Sequence, residues 1–319
     1  RLFIGGITLS HNLYVTNAFQ ATSSQLVRED IDQTTLTNLS DAATIGKIVA
    51  LAEGGSWADG FIASFAEDGA NVPFATYFGG KLHDTIIGIA VTSDRHIWLV
   101  GNTKSADLYV TNSVAVSGSQ GDDMFLVEAN TNGEILYSSY LGGSGIDVAE
   151  SIECDTNDAL YICGKTTSSD FPTTNALQTT HAGGVFDGFV MKIDSRTKGM
   201  VFSTYIGGES EDMLSQVKID DLGRVFLIGT TMSTNLLVVN GVQASFCGET
   251  DAYLAVLDSK GTNLLYASYF GGTGFDAGVA LALGNHERVL IAGTTTSTDL
   301  LTTNAVQSSL AGGSDLFLL

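Results

Sequence analysis

Nine aspartates recur at fixed intervals along the chain, and they are the residues whose spacing best suits a chemical site. Five lie 64 residues apart, and an aromatic residue follows each of them two positions later; we name these the clock aspartates. They are Asp59, Asp123, Asp187, Asp251 and Asp315. The other four each follow a Gly-Gly pair by four residues, and they are Asp84, Asp147, Asp212 and Asp276. Rings of carboxylates would suit Ca²⁺, which binds oxygen ligands.

The repetition of these aspartates favours a structural role over a metal site. A residue that recurs in every copy has a role common to all copies, namely the fold of the repeat. We therefore expect each clock aspartate to accept hydrogen bonds from backbone N–H groups or loop hydroxyls in its own repeat. No turn has the spacing of a calcium loop; the nearest, Asp155-Thr156-Asn157-Asp158, lacks the required glycine. The sequence therefore predicts no cofactor and no metal, and Asp155, Asn157 and Asp158 are the candidate ligands if Ca²⁺ binds.

The sequence lacks the common catalytic motifs. Its five histidines are scattered, and it has neither an H-E-x-x-H motif nor a G-x-S-x-G nucleophile elbow. Cys154, Cys163 and Cys247 lack the C-x-x-C spacing of zinc and redox sites. If residues 155–159 form a hairpin turn, Cys154 and Cys163 point to opposite faces of the sheet, so we expect buried free thiols and no disulfide between these two. We predict that the chain is not an enzyme.

The elements that position these residues form a repeat of about 64 residues. Each copy contains an apolar strand that ends in Tyr-x-Gly-Gly, an aspartate that opens a hairpin, a long polar loop, and a strand that begins at a clock aspartate. The glycines are Gly79, Gly80, Gly142, Gly143, Gly207, Gly208, Gly271 and Gly272. We expect a positive φ in at least one glycine of each pair, because a tight reversal after a strand favours a residue without Cβ.

The polar loop keeps its own register of short side chains. Counted from the glycine that ends the hairpin, Thr recurs at the second position, Ser at the fourth and Asp or Asn at the sixth. An asparagine recurs at the eleventh position, as Asn17, Asn112, Asn175, Asn240 and Asn304. Short polar side chains bond to nearby backbone, so this pattern predicts a loop that is ordered without a core of its own.

A period of this length indicates tandem units that bury their apolar faces by stacking on one another. Four strands per unit are typical of a propeller blade, so we predict an all-β fold. The predicted architecture is a β-propeller of four-stranded repeats, with about 4.5 repeats in a single domain at 1–319. If the polar loop connects blades, the chain holds one leading strand, four complete blades and one trailing strand.

The first copy contains an insertion in its long loop, at about residues 22–54. Ser40 and Asp41 would cap a helix within it. Asn38 begins an Asn-Leu-Ser sequon and is a candidate glycosylation site. The insertion either packs on the flank of the propeller or contacts a partner. Because it occurs in one copy only, it breaks the symmetry of the repeat, as a specific interface would require.

The charge of the chain excludes two classes of partner. It has 35 acidic and 14 basic residues and a net charge of −21, which repels nucleic acid and anionic lipid. No apolar run approaches the roughly 20 residues of a spanning helix, so we expect no membrane insertion. A charged fraction of 15% with abundant Ser, Thr, Asn and Gly is typical of secreted β-proteins and indicates an extracellular or cell-surface location.

Three stretches of the second full copy resemble the SBBP-type bacterial β-propeller repeat. They are residues 140–147 (YLGGSGID), 161–164 (YICG) and 166–176 (TTSSDFPTTNA). The resemblance covers nearly the whole chain outside residues 22–54, although Val239 and Ala115 replace a usual Thr and a usual Gln. It implies a secreted or cell-surface prokaryotic protein with a propeller fold, and it offers no catalytic residues to carry over.

The sequence therefore predicts a non-catalytic scaffold or protein-interaction module that assembles with itself into a polymer or filament, or binds another surface protein. Unpaired terminal strands would serve as templates for strand addition. One alternative is a glycan-binding adhesion propeller. Its carbohydrate would stack on Tyr77, Tyr140, Tyr205 and Tyr269, although packing between blades explains these rings better. The other alternative is a hydrolase or lyase with its site at the propeller axis.

Overall fold

The chain forms an all-β structure. The computed structural model describes residues 2–8, 58–66, 71–111, 122–284 and 288–319, the first of these as backbone alone. These residues contain 18 β-strands and no α-helix. Over the same ranges there is accordingly no helix that could cross a membrane. The predicted sites Asn17, Asn38 and Asn112 and the insertion at 22–54 lie outside the described residues.

The strands form five antiparallel sheets, and strands adjacent in a sheet are consecutive in sequence. The first sheet contains β1 (Leu2–Thr8), β2 (Asp59–Phe65) and β3 (Phe74–Phe78). The second contains β4 (Asp84–Val91), β5 (Ile97–Thr103), β6 (Asp123–Ala129) and β7 (Ile135–Leu141). The third contains β8 (Asp147–Cys154), β9 (Ala159–Thr166), β10 (Asp187–Asp194) and β11 (Met200–Ile206). The fourth contains β12 (Asp212–Ile219), β13 (Val225–Thr231), β14 (Asp251–Leu257) and β15 (Leu264–Phe270), and the fifth contains β16 (Asp276–Leu283), β17 (Val289–Thr295) and β18 (Asp315–Leu318).

The prediction of an all-β fold with four-stranded sheets is confirmed for the second, third and fourth sheets. The first and fifth sheets have three strands each within the described ranges, and none of the five closes on itself. By its contacts the chain divides into two compact units, Arg1–Ala149 and Glu150–Leu319. The assignment of the whole chain to one domain stays a prediction.

The register places both kinds of aspartate at the same end of a sheet. In the fourth sheet Asp212 is opposite Thr231 on the next strand, and Thr231 is opposite Asp251 on the strand after that. The second sheet repeats this Asp-Thr-Asp arrangement. One buried threonine on the intervening strand therefore separates the two aspartates, because the antiparallel pairing runs without a slip at this end.

The long polar loop lies within a sheet and does not connect sheets. Residues 232–250, for example, connect β13 to β14, and these two strands pair over their whole length. The Gly-Gly segment instead connects the last strand of one sheet to the first strand of the next. The prediction of a leading strand, four complete blades and a trailing strand is therefore wrong, and β1 and β18 belong to different sheets.

The tyrosines of the Tyr-x-Gly-Gly motif belong to the core. Tyr77, Tyr140, Tyr205 and Tyr269 are all less than 7% exposed. The Tyr205 hydroxyl donates to the Ser168 carbonyl (2.6 Å) and accepts from the Phe171 N–H (3.1 Å). The Tyr140 and Tyr269 hydroxyls make the same two kinds of contact, so these three rings join a polar loop to its sheet. Since none of the four tyrosines is accessible, the carbohydrate-stacking alternative is wrong for these residues.

The three cysteines differ in exposure. Cys163 is buried, Cys154 is half-buried and Cys247 is exposed in the polar loop before β14, and all three are free thiols. The expectation of buried thiols is therefore right for Cys163 and wrong for Cys247.

Candidate functional site

Two aspartates from consecutive sheets meet at the first glycine of two Gly-Gly pairs, Gly79 and Gly271. A Cβ placed on Gly79 would lie 2.9 Å from both Asp59 Oδ1 and Asp84 Oδ2. A Cβ on Gly271 would lie 2.2 Å from Asp251 Oδ1 and 3.1 Å from Asp276 Oδ2. The glycine thus leaves room for two carboxylates that no side chain at that position would allow. Each such set consists of a clock aspartate and the aspartate that opens the next sheet. We name it a carboxylate pair.

The prediction of a positive φ in each Gly-Gly pair is wrong in three of four copies. Only Gly142, with φ of 139°, has such a backbone conformation; the other glycines of the pairs do not. The physical reason for glycine is close approach. At the second glycine of the third pair, Gly208, a Cβ would lie 2.3 Å from Asn235 Oδ1 and 2.7 Å from Ser233 Cβ of the polar loop.

The aspartate that opens each sheet is held by the polar loop. Asp212 Oδ2 accepts bonds from the Gly208 N–H (2.6 Å) and the Ser233 hydroxyl (2.8 Å), and its Oδ1 accepts from the Thr231 hydroxyl (2.5 Å). Asp84 has the equivalent three donors. The Thr and Ser positions of the loop register therefore exist to fix this carboxylate, as the pattern of short polar side chains indicated.

The clock aspartates accept hydrogen bonds through one oxygen. Asp251 Oδ2 accepts from the Cys247 N–H (3.0 Å) and from Gln243 Nε2 (2.9 Å), and Asp187 and Asp315 have the same kinds of donor. Asp187 Oδ1 and Asp251 Oδ1 are buried and have no hydrogen-bond partner among the described residues. The backbone contacts are those predicted from the repeat, while a purely structural role stays a prediction.

Burial and the neighbouring charge raise the pKa of at least one carboxyl in each pair. Burial raises the pKa of Asp251 to about 7 and that of Asp84 to about 6, and in both cases the charge of the paired aspartate adds to the rise. Burial also raises the pKa of Asp123 to about 7 and that of Asp187 to about 6. Two adjacent buried carboxylates cannot both ionise without a large cost in free energy. Each pair therefore retains a proton at pH values above those at which an ordinary aspartate loses it.

The recurrent asparagines adopt a left-handed backbone. Asn175, Asn240 and Asn304 have φ values of 45°, 53° and 51°. Asn175 Nδ2 donates to the Val201 carbonyl (2.8 Å), so its side chain joins the loop to the outer strand β11. Asparagine tolerates this conformation better than other residues with a side chain, which explains its recurrence at the position.

The candidate Ca²⁺ ligands form an ordinary hairpin turn. Asp155 Oδ1 accepts from the Asn157 N–H (2.8 Å) and the Ala159 N–H (2.9 Å). Lys192 Nζ lies 3.5 Å from Asp155 Oδ2, and Arg196 lies 3.2 Å from Asp158 Oδ2. The carboxylates thus bind backbone N–H groups of the turn and two basic side chains. In the part of the chain that the structure describes, no three His, Cys, Asp or Glu side chains converge as a metal site.

Residues that break the repeat form a second polar group, which sequence reasoning missed. We name Glu150, Glu153, Lys165 and Lys218 the non-repeated cluster. Glu150 and Glu153 are on β8, Lys165 is on β9 and Lys218 is on β12, all within the second unit. The positions equivalent to Glu150 in the other copies carry Ile87, Ser215 and Val279. A comparison of the copies column by column would have revealed these charges.

The first strands of the sheets bulge at the position that corresponds to Glu150. The pairing register shifts around Ile87, Ser215 and Val279, each of which is the extra residue of a β-bulge. Bulges re-aim a side chain and are common beside active sites. Ile87 is 41% exposed and Val279 is 53% exposed, so this position faces outward from the packed sheet.

The non-repeated cluster contains two acid–base pairs. Glu150 Oε1 lies 3.7 Å from Lys165 Nζ, and Glu153 is ion-paired with Lys218. Lys165 Nζ also lies 5.3 Å from the centre of the Phe186 ring and 3.7 Å from Met213 Sδ. The Lys165 side chain is 25% exposed and that of Glu150 is 38% exposed. The lysine is therefore fixed by an aromatic ring and a thioether, while the glutamate remains accessible.

Burial raises the pKa of Glu150, and the charge of Lys165 opposes part of that rise. A carboxyl with a raised pKa beside an ammonium group is suited to proton transfer near neutral pH. A small cavity of about 10 Å³ is lined by Asp212 and Met213, on the strand that carries Lys218. It is large enough for about one water molecule.

Comparison with known proteins gives one distant likeness. No protein-family model matches the chain, and no curated protein matches it. Among solved structures, the chain is similar to a luciferin-regenerating enzyme, with 10% sequence identity and a TM-score of 0.37. The match covers 84% of this chain and 75% of that chain.

That neighbour is an enzyme, so the prediction of a non-catalytic, self-assembling scaffold is contradicted and is wrong as stated. The prediction assumed that every copy has the same structural role. The residues of the non-repeated cluster differ between copies, so that assumption does not hold for them. A likeness at this level carries no argument about reaction or substrate, and the neighbour's chemistry is not transferred to this chain.

Proposed function

We propose that the five sheets are blades of a β-propeller built from SBBP-type repeats of about 64 residues. Three observations support this architecture: the sheets follow one another in sequence, their strands are consecutive within each sheet, and each aspartate pair spans two successive sheets. The low charged fraction and the Ser, Thr, Asn and Gly content support an extracellular or cell-surface location.

We further propose that the chain is an acid–base enzyme of the hydrolase or lyase class, with its site at the non-repeated cluster. The observation that carries this proposal is the Glu150–Lys165 pair: an accessible carboxyl with a raised pKa, 3.7 Å from a fixed ammonium group, at a position where other copies carry Ile, Ser or Val. Repeated residues hold the fold, so residues that break the repeat are free to serve a site.

In this proposal the two side chains have different roles. Glu150 transfers a proton to or from the substrate, because burial raises its pKa and so makes the protonated form easier to populate. Lys165 offers N–H donors to the negative charge that develops on the substrate, and its contacts with Phe186 and Met213 fix its position. The Glu153–Lys218 pair borders the site and holds β12 beside β8.

The proposal is tested by turnover of chromogenic probes. The wild type would be assayed with p-nitrophenyl esters, p-nitrophenyl glycosides and an acidic polysaccharide, and the active probe would then be used with Glu150→Gln and Lys165→Met. We expect kcat to fall by roughly 10²–10⁴-fold in Glu150→Gln, the usual contribution of a general acid or base. Glu134→Gln, at an exposed turn, is the matched control. Equal kcat in wild type and Glu150→Gln would contradict the proposal.

A further inference from the structure

The carboxylate pair Asp251–Asp276 is fully buried between two sheets. Asp251 begins β14 of the fourth sheet, Asp276 begins β16 of the fifth, and both are 0% exposed. Asp251 Oδ2 is bonded to the loop before β14, and Asp276 Oδ2 accepts from the Gly272 N–H (2.8 Å) and the Ser297 hydroxyl (2.6 Å). Each carboxyl is thus held by hydrogen bonds to its Oδ2 atom, and its Oδ1 atom takes no part in these bonds.

The second oxygens of this pair lack a donor. Asp251 Oδ1 and Asp276 Oδ1 are both buried, and neither has a hydrogen-bond partner among the described residues. A buried acceptor without a donor is costly, and two on neighbouring carboxylates are costlier still. A proton on one carboxyl would reduce the charge of the pair by one and supply an O–H donor between two sheets.

The other ionisable groups that face this pair are all acids. They are the Cys247 thiol from the loop before β14, the Tyr269 phenol from β15 and the Asp299 carboxylate from the loop after β17. None of these groups can supply a positive charge to balance two carboxylates. A proton is therefore the counter-charge that the surroundings favour.

We propose that each carboxylate pair holds one proton that joins consecutive sheets, so that the junctions between sheets are pH-sensitive elements of the fold. Asp59 and Asp84 likewise approach one glycine in the first unit, and the charge of Asp212 acts on Asp187 in the second. The inference concerns the repeated aspartates alone and is independent of the acid–base site at Glu150.

The direction of the pH effect follows from proton linkage. The pKa of Asp251 rises from its ordinary value of 3.8 to about 7 on folding, so the folded chain binds this proton more tightly than the unfolded chain. The stabilisation is fully present below the ordinary pKa and is lost as the pH rises through about 7. The fold should therefore be more stable in mildly acidic solution than in mildly alkaline solution.

The test is thermal unfolding between about pH 5 and about pH 8 in the presence of EDTA. We expect the wild-type Tm to fall as the pH rises, and Asp251→Asn to reduce that fall by roughly 2–4 °C, because the amide stays neutral and still donates to Asp276. Asp315→Asn is the matched control. Asp315 has the same Gln and backbone donors as Asp251, but its contacts are solvent-exposed and it is only partly buried.

Three results would overturn the inference. The first is an equal fall in Tm for wild type and Asp251→Asn. The second is a rise in Tm at alkaline pH when millimolar CaCl₂ replaces EDTA, seen in wild type and absent in Asp251→Asn, since a cation would then occupy the pair. If Asp251→Asn does not fold, difference infrared spectroscopy of the wild type decides: a protonated-carboxyl band that disappears near neutral pH supports the inference, and its absence above about pH 5 overturns it.

Discussion

At the scale of single residues, glycine is required by a neighbouring carboxylate and not by backbone conformation. Gly207 has no positive φ, yet a Cβ on it would lie 2.5 Å from Asp187 Oδ1 and Cγ. Real Cβ atoms do not approach other atoms so closely, so either the carboxylate or the strand end has to move. Since Asp187 also has a fixed set of donors, movement breaks its hydrogen bonds.

Substitution of this glycine should therefore destabilise the fold. We expect Gly207→Ala to lower the free energy of unfolding by about 1–3 kcal/mol, the usual cost of overpacking a buried site. Gly312→Ala is the matched control, because no atom lies within 4 Å of the position that its Cβ would take, and its change should stay within about 0.5 kcal/mol. Urea unfolding of both variants measures the difference, and equal stabilities would contradict the close-approach account.

Single-residue roles were predictable only where the residue's own chemistry decides them. The hydrogen bonds of Asp251 and the turn at Asp220 follow from known habits of aspartate, and Gly223 closes that turn with φ of 75° as its spacing indicates. The crowding at Gly207 was not predictable. It depends on a carboxylate 20 residues earlier in the sequence, whose position only the folded sheets define.

At the scale of elements, the strands were predictable and their grouping was not. Alternating apolar residues and turn signals define a hairpin such as β12–β13 from local sequence. Local spacing cannot tell which hairpins share a sheet, because a long loop and a short Gly-Gly segment can each lie within or between sheets. The polar loop is held within the sheet by Tyr269, whose hydroxyl donates to the Ser233 carbonyl (3.0 Å) and accepts from the Leu236 N–H (2.9 Å).

One polar loop carries a residue that differs from its counterparts. His181 stands where the other loops have Phe246 and Leu310, and it packs edge-on against Tyr205 at 6.0 Å, as Phe246 packs against Tyr269 at 6.1 Å. Its Nδ1 lies 3.9 Å from Asp187 Oδ2, and its Nε2 is buried without a hydrogen-bond partner among the described residues. The ring thus fills an apolar position and also places a titratable group beside a carboxylate pair.

His181→Phe should preserve this packing and remove the buried nitrogen. We expect the free energy of unfolding to stay the same or rise by about 1 kcal/mol, because an unsatisfied polar atom is lost. The pKa of Asp187 should rise, since the charge of His181 lowers it. Thermal unfolding and carboxyl NMR titration measure the two effects. His181→Ala, which loses the ring contact, is the control and should be less stable; a less stable His181→Phe would show that the histidine has a polar partner in the fold.

At the scale of the whole molecule, the repeated residues differ from the residues of the proposed site. The clock aspartates, the Gly-Gly pairs and the polar loops recur in every copy and fix the sheets and their junctions. No other copy has a charged residue at the positions of Glu150 and Lys165, and Glu153 and Lys218 share a repeat position that is alanine in β4 and β16. The sequence shows this contrast, but only the structure shows that the four charges lie together on neighbouring strands as two ion pairs.

The most direct test of this account is the pKa of the Glu150 carboxyl, measured by NMR titration in the wild type and in Lys165→Met. The account predicts a pKa above the ordinary glutamate range in the wild type, because burial disfavours the charged form. It also predicts a further rise in Lys165→Met, because the ammonium charge that opposes the shift is removed. An ordinary pKa for Glu150, or one that Lys165→Met leaves unchanged, would contradict an acid–base site at the non-repeated cluster.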